Sequence, residues 1–117
     1  MDVFSSFNSS FSIVNHRLMG GGVIHLECPK NRQGLGEPDM IILHYTAGTS
    51  AMSSAKFLAR PDVKASAHVV IGRDGQVIQM VPFNIEAWHA GKSSYRGRCE
   101  LNHYSIGIEL DNLGQLR

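Results

Sequence analysis

The sequence predicts an α/β domain, a mixed central β-sheet with flanking helices, on three local patterns. Met40–Thr46, MIILHYT, is a short apolar run bounded by turn signals and reads as a buried strand. Ser66–Pro82, SAHVVIGRDGQVIQMVP, holds two β-rich runs around Arg-Asp-Gly, the signature of a hairpin. Ser105–Asn112, SIGIELDN, alternates as a last strand does. Between the first strand and the hairpin, SAMSSAKFLARPD carries helix signals. Ser50 or Ser53 can cap it, Phe57 and Leu58 are expected to face the core, and Pro61 stops it. The segment Cys28–Asp39 is rich in Pro, Gly and polar residues and reads as loop, and Phe83–Tyr104 as loop with one helical turn. The order strand, helix, hairpin, loop, strand places a helix on one sheet face. The five residues given after SIGIELDN are not expected to cover the other face, a hint that a covering segment is missing.

The bulk numbers narrow the function. A chain of 117 residues is one small domain, and 43% hydrophobic with 18% charged residues is a globular composition. A formal net charge of +1 excludes nucleic-acid binding by bulk electrostatics. No apolar run approaches membrane-spanning length. Residues 1–22, rich in Ser, Asn and Gly, lack the basic start and continuous apolar core of a secretory signal. They are expected to be a flexible arm before a domain at 23–117, with Met19 an alternative start, and the chain is expected to be a cytoplasmic monomer. Cys28 and Cys99 are expected to be reduced thiols.

Strand parity brings out two titratable groups. Ile42, His44 and Thr46 share one face of the first strand. In the last strand Ser105, Gly107 and Glu109 lie opposite Ile106, Ile108 and Leu110, and Gly107 is expected to clear space beside Glu109. His44 reads either as a hydrogen-bonded strand-end histidine or as a metal ligand. Glu109 reads either as a solvent-facing strand residue or as a general acid/base. The second pair of readings is coherent chemistry. A catalytic zinc takes three protein ligands and a water, whose proton a nearby carboxylate accepts and returns. His68 lies in the first hairpin strand, and Trp88 and His89 in AWHAG, where Gly91 permits a tight turn. Trp88 is read as a core anchor or as a flat surface for a sugar. Cys99 and His103, four apart, are weak evidence for metal.

ILHYTAG, SAHVVIGRDGQVIQMVP, AWHAGKS and LNHYSIGIELDN occur in that order across residues 40–112. Together they resemble the zinc-dependent N-acetylmuramoyl-L-alanine amidases, which share a fold with peptidoglycan recognition proteins. The match is closest to the bacterial branch that trims muropeptides. The resemblance implies hydrolysis of the amide between N-acetylmuramic acid and L-alanine in peptidoglycan or muropeptides. It implies that His44 is the first zinc ligand and Glu109 the catalytic acid/base. It also implies that His68, Trp88 and His89 shape the substrate groove and that Asn102 fixes the loop over the site. The family's other two zinc ligands follow the SIGIEL strand in a C-terminal region that also supplies a covering helix. Here the sequence ends at Arg117 with Asp111 the one candidate, so a C-terminally incomplete domain with an incomplete zinc site is expected. The alternative is a non-catalytic muropeptide-binding module.

Overall fold

The computed structural model describes residues 11–46 and 48–111. Its centre is a five-stranded sheet of order β3-β6-β5-β9-β4, from β3 (Ile24–His25), β4 (Met40–Thr46), β5 (Val69–Ile71), β6 (Val77–Gln79) and β9 (Ser105–Asp111). β5 and β6 are antiparallel, while β3–β6, β5–β9 and β4–β9 are parallel. The sheet is therefore mixed, as the order of elements predicts. The last strand inserts between the first strand and the hairpin, so β9 carries neighbours on both sides.

The β5–β6 turn is the one Asp-Gly demands. Gly75 takes φ +86°, a left-handed value that a side chain disfavours, and Asp74 accepts from the Gln76 N–H. Helix α1 (Ala51–Leu58) is capped by Ser50, whose side chain accepts from Ser53 N–H while the Ser53 hydroxyl accepts from Ser50 N–H. That capping box settles which serine caps the helix. Its C-terminal end is held by Lys30, whose ammonium donates to the carbonyls of Leu58, Arg60 and Val63. The face α1 buries is smaller than expected. Ala51, Ser54 and Ala55 are buried, whereas Phe57 is 53% exposed. Small residues let the helix approach the sheet closely, and Phe57 is left at the rim.

The core lies between α1 and one sheet face, where Ala51 and Ala55 meet Val70, Ile78, Met80 and Val81. Cys28 joins this core as a free thiol, and Cys99 is free and exposed. The opposite face is partly covered, with Val69 and Gln79 buried and Ile13 and Leu18 over that end, and exposed along Met40–Thr46, where Ile41 and Leu43 lie. Ile41, Val69, Ile71, Val77, Ile106 and Ile108 line an apolar groove of about 820 Å³ there.

Residues 1–10 of the expected arm lie outside the described residues. The described part includes an antiparallel hairpin, β1 (Ser12–Val14) with β2 (Arg17–Met19). It is tied to the sheet by Gln79, whose side chain accepts from Leu18 N–H and donates to the His16 carbonyl. A second small ladder, β7 (Ser94–Tyr95) with β8 (Arg98–Cys99), lies inside the expected loop and leads into a 3₁₀ turn at Leu101–His103. That turn is the helical turn expected there.

Candidate active site

His44 and Glu109 stand directly opposite one another. The parallel register of β4 and β9 pairs Ile42 with Gly107, His44 with Glu109 and Thr46 with Asp111. Paired residues on adjacent strands project to the same side, here the side that α1 covers. Glu109 is half-buried and opens on a groove of about 290 Å³ lined by Thr46, Ser53, Ser54, Phe57 and Leu58. Burial raises its carboxyl above the ordinary carboxylate range, and the adjacent His44 opposes that rise. The larger apolar groove lies on the other face, with no titratable side chain of this constellation in its wall.

His89 is brought into the same place from the loop. Its Nδ1 lies 3.0 Å from His44 Nε2, and the two rings meet edge to face with centroids 5.2 Å apart. Its Nε2 lies 3.0 Å from Ser105 Oγ. A Cβ at position 107 would overlap the His89 ring, so Gly107 makes room for His89 rather than beside Glu109. Burial, with the His44 and His68 rings nearby, pushes the His89 pKa down to about 4 against the Ser105 contact, so the ring is neutral at neutral pH. Asn102 holds the backbone above it, its side-chain oxygen accepting from the N–H groups of His89 and Ala90.

His68 has a different place from the one expected. It is fully buried, Nε2 donates to the Ile85 carbonyl at 2.7 Å, and Nδ1 accepts from Gly107 N–H at 3.0 Å. Both nitrogens are spent inside the protein and no atom is open to a ligand. Burial lowers its pKa, which suits the neutral form these bonds require. Its contribution is to pin β9 to the loop that carries His89. Trp88 is anchored through its backbone, which donates to Ser66 Oγ and accepts from Ser66 N–H, while 37% of the residue stays exposed. His103 pairs with the buried Glu86 at 2.6 Å, away from Cys99.

Sequence reasoning did not single out Ser105. The available signal was its place in the set 105, 107, 109 on the site face, which marks it as a neighbour of whatever Gly107 admits.

A zinc ion takes three protein ligands and a water in a catalytic site. No group of three His, Cys, Asp or Glu side chains stands close enough to hold a metal among the described residues. Asp111, on β9, faces Arg73, whose Nε is 3.6 Å from its Oδ2. The described residues on their own therefore do not fit a zinc ion.

The family model for N-acetylmuramoyl-L-alanine amidase matches residues 34–116. This chain belongs to that family. Within it, the chain is 54% identical over 54 residues to the 1,6-anhydro-N-acetylmuramyl-L-alanine amidase AmpD of Citrobacter freundii, an alignment that covers 46% of this chain and 29% of the relative. The match thus spans less than a third of that relative's length. Among solved structures, a selenomethionine AmpD derivative superposes with a TM-score of 0.76 at 30% identity, covering 90% of this chain and 68% of that one. The Escherichia coli amidase AmiD, in complex with anhydro-N-acetylmuramic acid-L-Ala-D-γ-Glu-L-Lys, superposes with a TM-score of 0.57 at 29% identity, covering 91% and 40%. The amidase-family chain thus has the α/β fold expected of it, with one α-helix among the described residues. No helix among them is long and apolar enough to cross a membrane.

Proposed function

We propose that this chain carries part of the active site of an N-acetylmuramoyl-L-alanine amidase that acts on muropeptides. The observation that carries the reading is the register pairing of His44 with Glu109 on the face that opens to the groove. The reaction adds water to the lactyl carbonyl of N-acetylmuramic acid and breaks its bond to the L-alanine nitrogen. Glu109 accepts a proton from the attacking water and delivers it to the departing amine, so the carboxylate is regenerated. A carboxyl raised toward neutral pH by burial suits both halves of that exchange. The groove beside Glu109 is lined by the hydroxyl-bearing Thr46, Ser53 and Ser54 and by the apolar Phe57 and Leu58. That mixture suits a junction between sugar, lactyl and peptide. Trp88, the part-exposed neighbour of His89 in sequence, is not in the lining of this groove, and its flat ring is available to a sugar outside it.

In this reading His44 is one donor of a zinc site whose other two donors lie outside the described residues. The metal, when bound, makes water more acidic and polarises the amide carbonyl. The 117-residue chain alone is expected to bind zinc weakly and to turn over little substrate. Stoichiometric, tight zinc lost on His44→Ala would overturn that.

The test is a chimera that joins residues 1–111 to the C-terminal part of the Citrobacter freundii relative, with release of peptide from anhydro-muropeptide followed by mass spectrometry. Hydrolysis by the chimera that Glu109→Gln removes, with zinc retained, supports the reading. The absence of a three-donor group among the described residues favours a second reading, a module that grips muropeptide without metal. Muropeptide affinity of the 117-residue chain that a chelator leaves unchanged supports the module.

A further inference from the structure

We propose that Ser105 and His89 form a directional hydrogen-bond relay that locks His44 as its Nε2–H tautomer, leaving Nδ1 as its one open lone pair. The direction follows from the far end. The Leu101 carbonyl can only accept, and Ser105 Oγ lies 2.7 Å from it, so the single hydroxyl proton points there. Ser105 Oγ must then accept from His89 Nε2, 3.0 Å away, which places the His89 proton on Nε2. A neutral imidazole with its proton on Nε2 offers a lone pair at Nδ1. That lone pair faces His44 Nε2 at 3.0 Å, so His44 donates. One fixed hydroxyl rotor thus sets the proton positions of two rings in series.

The surroundings hold the relay in one geometry. Ser105 is fully buried, so water does not compete for its hydroxyl. The His89 ring lies against Gly107, where any side chain would displace it. Asn102 ties down the His89 backbone, and His68 holds Gly107 through its backbone N–H. The Leu101 carbonyl also accepts from Tyr104 N–H, so reversing the relay would not orphan it but would leave two acceptor oxygens, Ser105 Oγ and the Leu101 carbonyl, at 2.7 Å with no proton between them. Ser105 and His89 are positioning residues. Nothing they do requires contact with substrate.

The relay deepens the amidase reading, because it decides which His44 nitrogen is available for chemistry, but it is a property of the chain alone. It is tested on the ¹⁵N-labelled, chelator-treated 117-residue protein at neutral pH by long-range proton–nitrogen NMR of the histidine rings, with His44→Gln to assign His44. The expected result is a single His44 tautomer protonated at Nε2, with a scalar coupling across the hydrogen bond between His44 Nε2 and His89 Nδ1. Ser105→Ala should introduce a second His44 population protonated at Nδ1, and Ser105→Thr, which keeps the hydroxyl, should not. His89→Phe keeps a ring over Gly107 and should abolish the coupling and release the His44 tautomer. A wild-type His44 protonated mainly at Nδ1 overturns the proposal. So does a His44 tautomer unchanged in both Ser105→Ala and His89→Phe with the backbone spectrum intact. An inactive chimera would sink the amidase reading and leave these measurements standing.

Discussion

The two faces of the central sheet come from alternate residues of the same strands and have opposite surroundings. On one face Val70 and Ile78 have no exposed surface beneath α1, and His44 and Glu109 sit at its open end. On the other, Ile41 and Leu43 are 66% and 52% exposed, and the apolar groove lies open. The exposed face is the more apolar of the two, the reverse of what solvent would select in a self-sufficient sheet. The groups proposed to carry the chemistry lie on the covered face for a physical reason. Only there does burial raise the Glu109 carboxyl and keep the His89 ring neutral.

The largest expected effect breaks the comparison at the site. In the chimera, Glu109→Gln should lower kcat by about 10²- to 10⁴-fold, the range for a lost general acid/base, with zinc content unchanged. Activity within twofold of the parent would move the proton transfer to another group.

The faces themselves are compared next. Ile78→Ala should destabilise the 117-residue chain by about 2–5 kcal/mol, because it empties a packed site. Leu43→Ala on the open face should cost less than about 0.5 kcal/mol. Urea unfolding reads both. Equal losses would mean that the open face is covered in solution.

His68→Leu sharpens the distinction between a buried histidine that ties and one that relays. It leaves Gly107 N–H and the Ile85 carbonyl without their partner, each at about 1–3 kcal/mol. Thermal unfolding should register that loss. A His68→Leu protein as stable as the parent would show that other groups replace both bonds.

The smallest effect is at the rim, where His103 pairs with Glu86. That carboxylate, by hydrogen bond and by charge, raises the His103 pKa above its ordinary value. The pair's contribution is therefore complete below the ordinary imidazole pKa and fades as pH rises through the raised one. His103→Gln should lower the melting temperature at mildly acidic pH and leave it close to the parent's on the alkaline side. A deficit of the same size at every pH would mean that the pair acts as a neutral hydrogen bond.

Much of this was legible in order along the chain. MIILHYT and SIGIELD are β4 and β9, the Arg-Asp-Gly hairpin is β5–β6, and the alternation of β9 assigned Glu109 to the face opposite Ile106 and Ile108. These are local patterns, and strand periodicity reports them whatever the fold. The sequence left the cap between Ser50 and Ser53, and the structure assigned it to Ser50 with Ser53 closing the box. Phe57 was misread, since apolar character does not reveal that Ala51 and Ala55 would bring the helix so close.

The register of β4 against β9 is another kind of fact. Residues 44 and 109 are far apart in sequence, and only the insertion of β9 between β4 and β5 sets them side by side. The same insertion lays Gly107 beneath the His89 ring and Ser105 at its far nitrogen, contacts that no spacing along the chain encodes. Sequence alone determined the strands, the turn and the residue types able to carry acid/base and imidazole chemistry. Tertiary structure decided which histidine is sealed and which is linked to His44, because burial and hydrogen-bond partners come from neighbours distant in the chain.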